Sequence, residues 1–170
     1  MLPSKADYRA IIKNIHLQYS DTYRKKQENS IKHNILKLIS TYKYETCAIY
    51  YGTKTEPNLP INDIINMFST ILAPKYINNA YQFVETSTPK LTTTGKFNIQ
   101  EPTNYKRIET QLLKNPRILF FIPGVAFTEN GQRLGHGLGI YDKLLKYTCG
   151  INIGVCFNYQ QVRSIPTEPH

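Results

Sequence analysis

Apolar residues recur at helical spacing in the first quarter of the chain. Ser4 is a residue type that commonly caps a helix, and Lys5–Gln18 after it carries one apolar stripe. Residues 25–44 repeat this spacing over a longer stretch. We therefore predict two amphipathic helices, with apolar stripes formed by Tyr8, Ile11, Ile12 and Ile15 in the first and by Ile31, Ile35, Leu38, Ile39 and Tyr42 in the second.

Short apolar runs alternate with helical spacing in the rest of the chain. Such runs, bounded by turn residues, are typical of buried strands. Strands covered on both faces occur in parallel sheets, so the alternation predicts a three-layer α/β fold with a mostly parallel, Rossmann-like sheet and helices on both faces. We expect strands over 46–51, 81–84, 118–122 and 151–157, helices over 61–72, 105–114 and 141–147, a turn-rich connection over 52–60 and an irregular polar segment over 87–96.

The chain has the size of one domain. Its 170 residues are enough for a single core and contain no internal repeat or linker, so we expect one domain over 1–170. The three cysteines lack C-x-x-C spacing and indicate buried thiols in a reducing compartment. No stretch is typical of a signal peptide or reaches the roughly 20 apolar residues of a membrane span. We therefore expect a cytoplasmic protein that does not enter a membrane.

The net charge of the chain is strongly positive. Lysine and arginine outnumber the acids by 21 to 12, which gives a formal charge of +9. This charge favours anionic partners such as nucleic acid, phosphate-rich ligands or polyacidic substrates. Many basic residues fall within residues 24–37, where the alternative interpretation is a solvated helix face. Because no RNP-like or helix-turn-helix motif accompanies the charge, we expect no nucleic-acid partner.

Residues 117–146 carry the clearest chemical signal in the sequence. An apolar run is followed by glycines at every second position, Gly135, Gly137 and Gly139, and then by a helical stretch. A glycine-rich junction between a strand and a helix suits an anion, because backbone N–H groups can approach it closely. The spacing G-x-G-x-G is that of neither the dinucleotide fingerprint nor the Walker loop.

Charged side chains on both sides of the glycines strengthen this interpretation. Arg133 has the planar fork that holds a phosphate bidentately, Asp142 can bind a divalent cation, and Lys143 adds positive charge. The alternative is a tight turn in which Asp142 caps the following helix. In parallel sheets ligands bind beyond the carboxyl ends of the strands, and this loop is expected at such an end.

The segment 123–143 resembles a known family signature. Its residues RLGHGLGIYDK fit the pattern R-x-G-x-G-x-G-x-Y-D-[KR] of the 5-formyltetrahydrofolate cyclo-ligase, or 5,10-methenyltetrahydrofolate synthetase, family. Other landmarks keep the family's order over nearly the whole chain, and these are Lys5 and Arg9, Tyr51 and Glu56, Glu101-Pro102, and I-P-x-E-x-H at the end.

The resemblance implies an enzyme that uses ATP and Mg²⁺ to convert 5-formyltetrahydrofolate to 5,10-methenyltetrahydrofolate, with release of ADP and phosphate. A formamide oxygen is a poor leaving group. Transfer of the γ-phosphoryl group to that oxygen creates an imidate phosphate, which the folate N10 attacks to close the ring. In such a reaction the protein mainly positions the substrates and neutralises charge.

The resemblance also implies roles for individual residues. Arg133 and Tyr141 are expected to be catalytic, and Asp142 to bind Mg²⁺. Tyr51, Glu56 and Tyr141 match the folate-contacting positions, where a carboxylate suits the hydrogen-bond donors of a pterin ring. Without the resemblance, Tyr51 is better interpreted as a core residue and Glu56 as a solvated loop acid. The implied ATP-binding residues are Lys5, Arg9, Arg133, Leu134, Gly135, His136, Gly137, Leu138, Gly139, Ile140 and Tyr141.

The chain departs from the family pattern in three places. Ile140 stands where members commonly carry a second tyrosine, and His136 and Leu138 stand where some members carry basic residues. The family pattern also continues past His170, so we expect the domain to lack its C-terminal segment. The missing tyrosine and the missing C-terminal segment motivate an alternative, a non-catalytic module of the same fold that binds folate or a nucleotide. In both cases we expect a monomer with small-molecule ligands.

Overall fold

A six-stranded sheet forms the centre of the protein, whose computed structural model describes residues 3–166. The helices of this range are α1 (Lys5–Gln18), α2 (Asp21–Thr41), α3 (Ile61–Ile64) and α4 (Ile140–Leu145). The strands are β1 (Thr46–Ala48), β2 (Thr70–Ile77), β3 (Ala80–Glu85), β4 (Thr92–Thr94), β5 (Gln100–Pro102), β6 (Lys106–Arg107), β7 (Ile118–Ile122), β8 (Ala126–Phe127), β9 (Arg133–Leu134) and β10 (Ile151–Gly154). Short 3-10 turns cover Lys96–Asn98, Thr110–Lys114 and Asn158–Gln160.

The central sheet has the strand order β10-β7-β1-β2-β3-β6. The first four strands of this order are mutually parallel, whereas β3 and β6 run antiparallel to their neighbours. The antiparallel hairpin β2–β3 turns through Asn78 and Asn79, both at positive φ, as a two-residue type I′ turn requires. The prediction of a mostly parallel α/β sheet is therefore confirmed. Two small antiparallel pairs, β4–β5 and β8–β9, lie outside this sheet.

Strand β7 shows why both faces of the sheet are covered. All five of its residues are buried. Leu119 and Phe121 pack into a cluster with residues of α2, while Ile118, Phe120 and Ile122 pack into a second cluster with Leu144 of α4. Because successive side chains of a strand point to opposite faces, a fully apolar strand needs a helical layer on each side.

The predicted first helix agrees with the structure at both ends. Its N-terminus is closed by a capping box, in which the Ser4 hydroxyl accepts the Asp7 backbone N–H and the Asp7 carboxylate accepts the Ser4 backbone N–H. The second helix begins at Asp21, four residues before the predicted start, because the Ser20 hydroxyl caps it by accepting the Tyr23 N–H.

The prediction of a helix over 61–72 is wrong. Helix α3 ends after one turn, and β2 begins at Thr70. The residues Ile71, Leu72 and Ala73 are buried in succession, because β2 lies beside β1 inside the parallel part of the sheet. Spacing alone does not separate such a run from a buried helix.

Three smaller predictions also need correction. Residues 105–114 form strand β6 and a 3-10 turn in place of one helix, and the polar segment 87–96 contains strand β4, which pairs with β5. The strands predicted over 46–51 and 151–157 are shorter than expected. Cys47 is buried as expected, whereas Cys149 is exposed. Within residues 3–166, no helix has the length and apolar character that crossing a membrane requires.

Helix α1 is attached to the end of the described chain through His16. This side chain is 7% exposed, and its Nδ1 lies 2.6 Å from the Tyr159 hydroxyl in a hydrogen bond. The Tyr159 ring stacks between Tyr19 and Phe157, with centroid separations of 5.0 and 5.3 Å. Burial, and next the charge of Arg24, lower the pKa of His16, because both disfavour the protonated imidazole.

This burial predicts a pH-dependent stability. Between its folded pKa and an unfolded value of about 6.5, His16 binds more protons in the unfolded chain. The free energy of unfolding should therefore fall as the pH decreases from about 7.5 to about 5.5. Urea denaturation at several pH values measures this, and His16→Gln should flatten the dependence. His33→Gln, at an exposed position, is the control and should retain it. An equal slope in wild type and His16→Gln would contradict the prediction.

Candidate functional site

A cavity of about 700 Å³ opens at the carboxyl ends of the parallel strands. The chain leaves β1 toward one side of the sheet and returns to β7 on the other, so the strand order reverses beside β1. In open α/β sheets ligands bind at such a reversal. The cavity is lined mainly by three segments, which fall within residues 51–56, 97–100 and 133–142.

The glycine loop forms one wall of this cavity. Gly137 and Gly139 have φ values of 98° and 62°, in the left-handed region where a side chain is strained. Gly139 is also the N-cap residue of α4. The alternating glycines therefore allow β9 to turn directly into the helix.

Helix α1 packs against the same loop. The Nε of Arg9 donates a hydrogen bond of 2.8 Å to the Gly135 carbonyl, and a Cβ at Gly137 would lie 3.6 Å from the Arg9 guanidinium carbon. Lys5 lies one turn earlier on α1 and is half-buried. Neither basic residue lines the cavity itself. Arg9 therefore lies directly behind the glycines, whereas Lys5 lies one turn closer to the N-terminus of α1.

Arg133 connects the loop to α4. Its side chain is 15% exposed, forms an ion pair with Asp142 and lies over the Tyr141 ring at 5.7 Å. It also donates a hydrogen bond of 3.4 Å to the Pro123 carbonyl. These contacts hold a guanidinium group at the edge of the cavity, beside the glycines.

Glu56 lies on the opposite wall. Although it is only 5% exposed, both of its carboxylate oxygens are hydrogen-bonded: Oε2 accepts the Thr53 backbone N–H at 3.0 Å, and Oε1 accepts Nε2–H of His136 at 3.0 Å. Burial raises the pKa of Glu56, but the hydrogen bonds from His136 and Thr53 outweigh it, so the net shift of its pKa is downward. The site therefore holds a buried, charged carboxylate.

Tyr51 and Tyr141 contribute aromatic surface to the cavity. The Tyr51 hydroxyl donates a hydrogen bond of 2.9 Å to the Pro89 carbonyl. Burial raises the pKa of both phenols well above the ordinary value, with the charge of Glu56 adding to the effect at Tyr141. Both are therefore neutral at physiological pH, when each can donate a hydrogen bond but cannot act as an anionic base.

The remaining expected residues divide into two groups. Gly135, His136, Leu138, Gly139 and Ile140 line the cavity. Leu134 and Gly137 do not. The Leu134 side chain is 2% exposed and packs into the core against α1, which leaves only its backbone near the loop.

Sequence reasoning missed a third wall of the cavity. Phe97, Asn98 and Ile99 line it, and Phe97 and Asn98 both have a φ of 58°, a strained conformation for residues other than glycine. Phe97 is also 51% exposed. A solitary aromatic residue in a polar segment, just before the Glu101-Pro102 landmark, was the available signal.

Asp142 is the expected magnesium ligand. Its side chain is 72% exposed and is paired with Arg133. Among residues 3–166, the structure contains no group of three or more His, Cys, Asp and Glu side chains that could hold a metal ion. Protein ligands alone thus do not build a complete metal site in this part of the chain.

The chain is similar to proteins named for one activity. A 5-formyltetrahydrofolate cyclo-ligase from Haemophilus influenzae is 26% identical over 171 residues, which cover 94% of this chain and 89% of the relative. The NMR structure of 5,10-methenyltetrahydrofolate synthetase from Aquifex aeolicus superposes with a TM-score of 0.78 at 25% identity, covering 98% of this chain and 84% of that one.

A second solved structure supports the fold. The 5,10-methenyltetrahydrofolate synthetase from Mycoplasma pneumoniae superposes with a TM-score of 0.69 at 20% identity, covering 97% of this chain and 92% of that one. The resemblance predicted from the sequence is therefore confirmed, and so is the prediction that the protein is an enzyme of this family. Because residues 2–170 match it, the chain belongs to the 5-formyltetrahydrofolate cyclo-ligase family.

Proposed function

We propose that the protein converts 5-formyltetrahydrofolate to 5,10-methenyltetrahydrofolate at the expense of ATP, releasing ADP and phosphate. One observation carries the proposal: a single cavity has the glycine loop with Arg133 on one wall and the buried carboxylate of Glu56 on the other. The first wall suits phosphates and the second suits the donor groups of a pterin ring. Family membership supports the same reaction.

The reaction takes place in two steps. First, the formyl oxygen attacks the γ-phosphorus, the bond to the β-phosphate oxygen breaks, and ADP leaves. N10 of the folate then attacks the activated formyl carbon, its proton is lost, and the carbon–oxygen bond breaks to release phosphate. In both steps negative charge shifts between the oxygens of the phosphate groups. Fixed cations and backbone N–H groups stabilise this charge in the transition state and so accelerate the reaction.

The phosphate groups would lie on the glycine loop. Backbone N–H groups of residues 135–139 would donate to the phosphate oxygens, and Arg133 would bind the transferred group through its planar fork. Arg9 and Lys5 would add positive charge from α1, where Arg9 already contacts the loop. Arg133 is held in position by its contacts with Tyr141 and Pro123.

The folate would occupy the rest of the cavity. Glu56 would accept hydrogen bonds from the pterin ring, and Tyr51 and Tyr141 would pack against its aromatic parts. Tyr141, which lies beside Arg133, would orient the reacting formyl group. Phe97, on the third wall, would close the pocket.

Asp142 would hold Mg²⁺ together with phosphate oxygens. Magnesium is commonly bound by one or two carboxylates and completed by phosphate and water, so a single exposed carboxylate beside the phosphate wall fits that mode. The ion would supply charge neutralisation for the phosphate groups. Asp142 would exchange its contact with Arg133 for the ion, which frees the guanidinium for the transferred group.

We propose further that the protein is a monomer with a single domain and that it is located in the cytoplasm. It acts on small molecules and not on nucleic acid. The basic segment within residues 24–37 supports the exclusion of nucleic acid, because two of its positive charges are paired with acids of the same chain. Arg24 contacts Asp21, and Lys32 lies 2.8 Å from Asp63. This part of the surface is then a solvated, partly neutralised helix face.

The activity can be tested directly. Purified protein supplied with ATP, Mg²⁺ and 5-formyltetrahydrofolate should develop the absorbance of the methenyl product. Arg133→Ala should lower kcat/KM by at least about 100-fold, because it removes a cation from the transferred phosphate. Arg163→Ala, at an exposed position away from the cavity, should retain wild-type activity. Folded wild-type protein that yields no product would refute the proposed reaction.

A second candidate function is a binding module that holds folate or nucleotide without turnover. Leu138 motivates it, because an apolar side chain that is 51% exposed lies among the glycines where some family members carry cations. A binding module predicts ligand-dependent thermal stabilisation without ADP release. Folate-dependent formation of ADP would exclude it.

Glu56 should control the affinity for folate. Glu56→Gln keeps the shape of the side chain but removes a charged acceptor, so KM for folate should rise roughly 10- to 100-fold. KM for ATP should change much less. Steady-state kinetics with each substrate varied in turn measure the two effects. Glu129→Gln, at an exposed position, is the matched control. Equal increases in both KM values would argue against a folate-specific role.

A further inference from the structure

The hydrogen bond between His136 and Glu56 joins the two walls of the cavity. The two residues are 80 positions apart in the sequence, and their side chains meet at 3.0 Å. One belongs to the glycine loop and the other to the turn after β1. A single contact therefore links the wall suited to phosphates with the wall suited to the pterin ring.

The two oxygens of Glu56 are not equally available to a ligand. Oε2 is bound by the Thr53 backbone N–H within its own turn, and the Glu56 backbone N–H donates back to the Thr53 carbonyl at 3.2 Å. This reciprocal pair anchors the turn. Oε1 is the oxygen that faces across the cavity, and His136 occupies it. A folate that binds Glu56 must therefore displace the His136 imidazole from Oε1 or share this oxygen with it.

The His136 side chain is less constrained by its surroundings than that of Glu56. Its side chain is 44% exposed, compared with 3% for Glu56, and it stands between Gly135 and Gly137. The glycines on both sides restrict the backbone less than other residues would. Two guanidinium groups lie against the glycines that flank it, that of Arg133 at Gly135 and that of Arg9 at Gly137.

We propose that His136 couples the two substrate sites. In the free protein its imidazole is hydrogen-bonded to Oε1 of Glu56. When a nucleotide binds, the imidazole leaves Glu56 and binds the phosphates, so that nucleotide binding raises the affinity for folate. The inference rests on the proposed function. It concerns how this chain uses a histidine where some family members carry a cation, and it makes His136 a positioning residue for Glu56.

The sign of the coupling follows from competition. A ligand that needs a free Glu56 binds with an apparent affinity reduced by the fraction of molecules in which His136 occupies it. A phosphate that attracts the imidazole increases the free fraction. Linkage is reciprocal, so folate must increase the affinity for nucleotide by the same factor.

Calorimetry with the whole chain tests this inference. The Kd of 5-formyltetrahydrofolate is measured with and without a non-hydrolysable ATP analogue and Mg²⁺. In the wild type, the analogue should lower this Kd at least about fivefold, and folate should lower the Kd of the analogue by the same factor. In His136→Ala, folate alone should bind more tightly than it binds to the wild type, and the analogue should change its Kd by less than about twofold.

Leu138→Ala provides the matched control. It shortens another side chain of the same loop that lines the cavity, but Leu138 makes no hydrogen bond to Glu56. Leu138 lines the cavity, so the variant can change either Kd by itself, but the ratio of the folate Kd values with and without the analogue should equal that of the wild type. Loss of coupling in Leu138→Ala to the same extent as in His136→Ala would overturn the inference, because loosening of the loop would then explain both.

Failure of the inference can be distinguished from failure of the proposed function. Folate that binds equally well with and without the analogue, in wild type and His136→Ala alike, would overturn the coupling and leave the proposed reaction intact. A wild-type protein that binds folate under neither condition would refute the proposed function, and the coupling with it.

Discussion

Strands β1 and β7 lie side by side and parallel, with Ala48 opposite Phe120, and the cavity depends on this pairing. Parallel strands end at the same edge of a sheet, so the chain segments that follow them emerge together. One segment carries Tyr51 and Glu56, and the other leads through Pro123 into the glycine loop. If β1 and β7 were antiparallel, these segments would leave the sheet at opposite edges and share no cavity.

The pairing also explains how a charged carboxylate is tolerated in a buried position. Removing Glu56 from water is costly, and the cost is offset only where its oxygens find donors. Thr53 supplies one donor locally, because the turn after β1 returns on itself. His136 supplies the other from the glycine loop. The same contact that satisfies Glu56 in the free protein therefore stands in the way of a ligand, which is the basis of the proposed coupling.

Prediction from the sequence succeeded where the signal is local. Helix α1 shows its cap and its apolar stripe within 15 residues, and β7 shows a continuous apolar run. It failed over 61–72, because the apolar spacing there fits a helix and the position of β2 beside β1 selects a strand. It also missed Phe97, since the strained turn that carries this ring is held by pairing of β4 with β5, a contact that no local pattern reveals.

The sequence by itself determined the α/β class, the glycine loop with its flanking Arg133 and Asp142, and the family. Each of these depends on residues that are close together in the sequence or that follow the order of the family's landmarks. Only the tertiary structure decided that His136 meets Glu56, that Leu134 turns into the core while Leu138 faces the cavity, and that Phe97 forms a third wall. Burial and contact between distant segments depend on how strands pair and helices pack, and these are properties of the whole chain.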